Sequence, residues 1–329
     1  MRSWKWPGRI VQSLVLAAAG VAILVYTLRN TPWTDFKSAL HAVQPAWLLA
    51  LGAIIFLSHF LRAWRWQLLF QKENRRPGLW ACFHALMAGY LVNLIPPRAG
   101  EIVRAALLSR SADIPVEKTL GTVLLERLLD LVTLLILFIP TLGFSGPTLY
   151  HYAQIHILEP LNASQKIFWM GGLTFLLIAA VVFFILLKSP WGMKKVPVLN
   201  RFWEGLTAFL TLQKPFLFLF LTLAIWGCYW LVNLIGFQSV GLIPEQPAAA
   251  ALALMTVGTI GMIVTPGGTI YPLMAAGILS LWNVSYKESL LLGWLLWGSQ
   301  MLLFLALGAL AFFILPLTKT RHAQHTSKH

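Results

Sequence analysis

Residues Asn93 to Arg110 read NLIPPRAGEIVRAALLSR, and how this stretch sits in the chain decides the fold. Pro96 and Pro97 lack amide hydrogens and disfavour helix in the residues before them. Gly100 permits a turn or a close backbone approach. Arg98, Glu101 and Arg104 follow at spacings of three, which on a helix places them along one side. The stretch interrupts a chain of 329 residues that is 58% hydrophobic and 11% charged. A soluble domain carries about a quarter charged residues, so composition places this chain in the membrane class.

Apolar segments of spanning length, roughly 20 residues, occur at 10–28, 46–68, 117–139, 167–187, 216–240 and 288–315. Two further segments, 79–95 and 248–264, are shorter and stop at Pro96-Pro97 and at Pro266-Gly267-Gly268. The N-terminal MRSWKWPGRI resembles the basic region of a signal peptide, but the span after it ends in YTLRNTP rather than small residues. A retained first helix is expected.

The net charge of +14 does not indicate nucleic-acid binding, because the Lys and Arg are spread over short inter-span segments. Sixteen of the 25 fall within 2–9, 62–76, 188–214 and 319–328, whereas Arg29, Lys37, Lys166 and Lys287 fall in the segments between. The positive-inside rule then expects both termini in the cytoplasm. For the later loops to obey this bias, 79–112 must begin and end inside, and 248–282 must begin and end outside. The expected fold is an all-α polytopic membrane protein. It has about six full spans and two opposed re-entrant hairpins broken at Pro and Gly, eight hydrophobic segments in all. A single membrane domain covers 1–316, with a polar, disordered tail over 317–329. Broken backbone at membrane depth survives only where protein buries it or a wet cavity meets it, and paired interrupted segments mark a transporter's binding site.

The second charged group lies at LLERLLDL, where Glu126, Arg127 and Asp130 share one arc of the span 117–139. Each ionised group at mid-membrane costs about 2.5–3.5 kcal/mol, so these groups must be paired or hydrated. Arg98, Arg104 and Arg127 balance Glu101, Glu126 and Asp130 in formal charge, which permits a closed network that pins the hairpin. It equally permits a site in which a phosphate competes for the guanidinium forks or for amides at a broken helix end. SHFLRAWRW adds His59, Arg62 and Arg65 on one helix side. Arg65 and Trp66 fit interfacial anchors, and Arg62 is expected to face the hairpin. At the second break, Pro266, Gly267 and Gly268 permit a tight turn whose amides can bind an anion or contact the first hairpin.

No catalytic grouping, cofactor motif or metal spacing is present in the sequence. The eight His pair with no Asp, Glu or Cys at ligand spacing, and the Gly-Gly pair lacks nucleotide-loop spacing. Cys82 and Cys228 lie in apolar segments and read as buried thiols.

ALMAGYLVNLIPPRAGEIVRAALLSR, followed by IPVEKTLGTVLLERLLDLVTLLIL, resembles the flippase-like membrane family that includes the transmembrane region of lysylphosphatidylglycerol synthase. The resemblance is carried by Asn93, Pro97, Arg98, Gly100, Glu101 and Arg104, then by Glu126, Arg127 and Asp130. FLRAWRW and TPGGTIYPLMAAGIL match the family's layout as well. Similar proteins usually carry Gly-Gly-x-Gly with a nearby Glu, or an aromatic-His pair, where this chain has GGTIYPLM. The synthase's aminoacyl-transferring domain is not expected here, because the chain ends after its last span.

The resemblance implies a non-enzymatic protein of the bacterial inner membrane that translocates an anionic phospholipid or polyprenyl-phosphate lipid between leaflets. Arg62, Asn93, Arg98, Glu101, Arg104, Glu126, Arg127 and Asp130 are its expected substrate contacts. Membrane lipids are the expected partners, and no cofactor is implied. The alternative is a non-catalytic accessory subunit or scaffold for a lipid-modifying glycosyltransferase or synthase.

Overall fold

The structure, a computed structural model, describes residue 43 and residues 45–71, 76–94, 98–153 and 197–326. The expected spans 10–28 and 167–187, and the breakers Pro96 and Pro97, lie outside the described residues. Among the described residues there is no strand. The helices are α1 Pro45–Leu68, α2 Leu79–Val92, α3 Ala99–Ala112, α4 Val116–Ala153, α5 Pro197–Leu206, α6 Pro215–Ser239, α7 Pro247–Val264, α8 Tyr271–Leu279 and α9 Tyr286–Thr326. Among the described residues three stretches, Pro45–Leu68, Pro215–Ser239 and Tyr286–Phe312, are long and apolar enough to cross a membrane.

The helix α4 carries its charges in its first four turns, from Glu117 to Asp130, yet its outer surface is apolar. Every fully exposed described side chain from Leu124 to Phe144 is apolar, apart from Gly143. That stripe is about 30 Å long at 1.5 Å per residue, the thickness of a hydrocarbon core. Two sequence expectations are corrected around these helices. The span beginning at 117 was expected to end at 139, but α4 runs on through Pro140 to Ala153. The tail was expected to be disordered, but α9 continues to Thr326. Extending an existing helix adds one hydrogen bond per residue without a new nucleus, so a stable span carries a weakly helical sequence with it.

The shorter helices pair. At about 21 Å each, neither α2 nor α3 reaches across 30 Å, and the two fold back on one another. Their backbones touch where a Cβ on Gly100 would run into the Gly89 carbonyl oxygen, and one on Gly89 would lie 3.0 Å from the Arg104 Cβ. In the same way α7 and α8 fold back, with Gly258 against the Tyr271 ring and Gly261 against Met274. The two breaks meet, since a Cβ on Gly267 would lie 3.9 Å from a Leu94 methyl.

One end of the bundle brings together the described parts of two expected basic segments, 62–76 and 188–214. Gln213 N donates to Gln71 Oε1 at 3.1 Å, Gln67 Nε2 to the Pro77 carbonyl at 2.9 Å, and Lys118 pairs with Glu204 at 3.0 Å. The helix α5 crosses α4 there at Gly121 and Gly205, where any side chain would strike the neighbouring backbone. The apolar packing divides between the hairpins. One core joins Trp66, Leu86, Leu108, Val123 and Leu221, and the other joins Leu51, Phe237, Leu254, Leu279 and Leu296.

Candidate functional site

The first hairpin turns through an unusual helix start. Arg98, the N-cap of α3, has φ +66°, a left-handed conformation that costs a non-glycine residue about 1–2 kcal/mol. Arg98 caps nothing with its own side chain. Asn93, across the break, does so instead. Its Oδ1 accepts from Gly100 N at 2.8 Å and its Nδ2 donates to Glu101 Oε2 at 3.4 Å. An N-terminal orphan amide is thereby satisfied by the end of the preceding helix. Gly100 is required by this geometry, because the Gly89 carbonyl and Asn93 Oδ1 occupy the space of a side chain.

From α3, Arg104 reaches into the bundle and is 2% exposed. Its Nη1 donates to Glu126 Oε2 at 3.0 Å, and its guanidinium lies 5.0 Å from the Trp66 ring centre. Glu126 on α4 is 1% exposed and also accepts from Arg62 Nη2 at 2.6 Å. Arg62 Nη2 reaches Asp130 Oδ2 at 2.9 Å, and Arg65 Nη2 donates to Asp130 Oδ1 at 2.6 Å. Arg127 stands 3.6 Å from Glu101 and 3.9 Å from Glu126, at the half-exposed margin. Helices α1, α3 and α4 are thus joined through two carboxylates that hold three buried arginines. The arrangement lies two to three helical turns from the basic end, since Glu126 is about 15 Å along α4 from Val116.

Two expectations change here. Arg65 is not a snorkelling anchor: it is fully buried, paired with Asp130, and its Nη1 lies 3.4 Å from Thr222 Oγ1. Trp66 is equally buried and donates to Thr122 Oγ1 at 3.0 Å. Both face inward because they stand three and four residues beyond Arg62, on the same helix side. The three-to-three charge balance also fails. Arg62 and Arg65 join the cluster while Arg98 stays exposed at the tip, with no ion-pair partner among the described residues. Arg62, Arg65, Arg104 and Arg127 therefore face Glu101, Glu126 and Asp130, one positive charge in excess. The repeated i,i+3 pairs at 62/65, 101/104 and 127/130 were the available signal for this larger cluster.

The second hairpin has no charge and is joined by hydrogen bonds that sequence did not reveal. Tyr271 Oη donates to Asn233 Oδ1 at 3.1 Å, and Asn233 Nδ2 to the Tyr229 carbonyl at 2.9 Å. The Tyr229 hydroxyl accepts from Arg62 Nη1 at 2.9 Å. A polar chain therefore runs from α8 through α6 to the arginine cluster. At the break itself, Gly267 and Gly268 have φ of +59° and +70°, which glycine alone adopts cheaply. One of the amides expected to be free, that of Gly268, is used locally, as is the amide of Ile270. Gly268 N donates to the Thr265 carbonyl at 3.0 Å and Ile270 N to Thr265 Oγ1 at 3.3 Å. The Gly267 carbonyl accepts from Trp297 Nε1 at 2.7 Å.

Among the described residues no group of three or more His, Cys, Asp or Glu could hold a metal ion, and Cys82 and Cys228 are free and buried. Three comparisons place this architecture. A family model described as the lysylphosphatidylglycerol synthase TM region matches residues 10–308. A UPF0104 membrane protein of Methanothermobacter thermautotrophicus is 28% identical over 156 residues, 46% of each chain. The match thus spans less than half the length of that curated relative. No solved structure matches the chain. With all but its ends inside one family model, and with apolar spanning helices to match, the chain is a multi-pass membrane protein of the lysylphosphatidylglycerol synthase TM region family.

Proposed function

We propose that the protein moves an anionic lipid, a phospholipid or a polyprenyl-phosphate lipid, between the leaflets of a bacterial inner membrane. The hairpins α2–α3 and α7–α8 enter the bilayer from opposite faces, with about six full spans around them and the basic end in the cytoplasm. The headgroup passes where the two breaks meet, while the apolar tail remains in lipid. The observation that carries this reading is the surplus of guanidinium over carboxylate beside the first break. A purely structural clamp gains nothing from an uncompensated buried charge, whereas a site for a visiting anion needs one.

The residues divide by exposure. Arg62, Arg65, Arg104, Glu126 and Asp130 hold the first hairpin in place. Arg98, exposed at the tip, and Arg127, half-exposed beside Glu101, meet the phosphate. Arginine suits this role because its planar fork matches phosphate oxygens. The hydrogen-bonded chain through Tyr229 and Asn233 ties the state of that cluster to the second hairpin.

The test is reconstitution in liposomes with a fluorescent phosphatidylglycerol, scored by quenching from outside. The wild type is expected to exchange the probe faster than protein-free vesicles, and Arg98→Ala to slow exchange at least several-fold while keeping the wild-type melting temperature. Exchange no faster than in empty vesicles, across several anionic lipids, would remove transport as the function. The family's link to a lipid-modifying synthase also suits an accessory subunit, which would co-purify with such an enzyme and show no exchange alone.

A further inference from the structure

We propose that His59, Tyr90 and Arg104 form an interior subsite for a phosphoryl oxygen, one helical turn inside the first break. This rests on the transport reading above and adds to it His59, Tyr90 and the two guanidinium nitrogens of Arg104 that do not face Glu126. His59 of α1 is 2% exposed. Its ring lies 5.1 Å from Tyr90 of α2 and 5.1 Å from Phe304 of α9, centre to centre. Neither ring nitrogen has a hydrogen-bond partner among the described residues. The buried Tyr90 hydroxyl has none either, nor do Nε and Nη2 of Arg104. These groups are neighbours. Arg62 lies 5.9 Å from the Tyr90 ring centre, and Arg104 packs against Gly89, which precedes Tyr90.

Folded interiors pair roughly nine in ten of their buried polar groups, so three adjacent side chains with unpaired atoms call for a partner. Its chemistry follows from theirs. Arginine only donates, tyrosine can donate, and histidine donates from one nitrogen when neutral and from two when protonated. The nearby acceptors are already engaged, since Glu126 and Asp130 hold Arg62, Arg65 and Arg104 Nη1. A cation is repelled by the arginines. An anion with several oxygens, set apart from one another, satisfies the donors together, and a phosphate ester is that anion. Placed here, the subsite receives a headgroup first met by Arg98 and passes it toward the second break. Tyr90 stands three residues before Asn93, and Arg104 returns beside it.

The test uses the full chain in detergent micelles, with short-chain phosphatidic acid as the probe and diacylglycerol of the same chains as the control. Binding is read by native mass spectrometry and by the shift in melting temperature. Wild type is expected to bind phosphatidic acid and not diacylglycerol. Tyr90→Phe and His59→Phe are each expected to bind it about tenfold more weakly, the usual scale for losing a hydrogen bond to a charged group. Both should melt, without ligand, at or above the wild-type temperature, because each removes an unpaired polar atom. If His59→Phe does not fold, Tyr90→Phe carries the test, since it deletes one unbonded oxygen. Protection by inorganic phosphate equal to that by phosphatidic acid supports the subsite in its free-phosphate form, and protection by the lipid alone supports the headgroup form. Equal binding by wild type and variants, or equal protection by diacylglycerol, overturns the subsite and leaves the liposome result standing. Binding without exchange in liposomes overturns transport and leaves the subsite.

Discussion

In the first hairpin the return limb is held by charge: Arg104 is locked to Glu126, which also holds Arg62, within an interior that admits almost no solvent. In the second, no charged residue occurs from Pro247 to Trp282. That limb is held by close packing of Gly258 on the Tyr271 ring and of Gly261 on Met274, by Trp297 on the Gly267 carbonyl, and by one tyrosine hydroxyl. Buried ion pairs are costly to desolvate but tolerate no change of register, because removing one partner strands the other. Apolar packing is cheaper and more forgiving. The contrast teaches that two different forces set the hairpins, and it predicts that the charged one is the more costly to displace.

The strongest way to break this contrast is Glu126→Ala. It strands Arg104, leaves Arg62 with the carboxylate of Asp130 alone, and should cost about 3–5 kcal/mol, read as loss of monodisperse protein or a large fall in melting temperature. A loss under about 1 kcal/mol would mean that charge does not hold the hairpin. Glycine substitutions sharpen the same point. Gly100→Ala forces a methyl into the Gly89 carbonyl, a backbone atom that cannot swing away, and is expected to cost about 1–3 kcal/mol. Gly258→Ala meets the edge of the Tyr271 ring at 2.7 Å. That ring can rotate, so the penalty should fall at the low end, about 1 kcal/mol. Equal penalties at the two glycines would erase that difference in cost. The smallest effect belongs to Tyr271→Phe, which removes one hydrogen bond to Asn233. About 1 kcal/mol or less is expected in thermal unfolding, with a larger change in lipid exchange if the polar chain couples the hairpins.

Much of the helical architecture was legible from hydropathy and breakers. The expected segments 46–68, 79–95, 216–240 and 248–264 lie within a few residues of α1, α2, α6 and α7, because an apolar run bounded by Pro, Gly or Lys has few alternatives in lipid. Helix ends were less legible. Pro140 reads as a stop, yet α4 passes it, since one lost amide bond is small beside a long helix already packed on its neighbours.

By itself, the sequence determined that this chain is a membrane protein with two interrupted segments and charged groups after the first break and inside the span 117–139. Those conclusions depend on composition and local spacing, which the chain carries residue by residue. Only the tertiary structure decided which charges meet. It moved Arg65 from the surface to Asp130, left Arg98 outside, turned Asn93 into a cap, and brought Tyr229 to Arg62 from 167 residues away and Tyr271 to Asn233. Pairing between distant helices depends on how their faces rotate and cross. Local periodicity indicates which residues share a face, but not which other face will cover them.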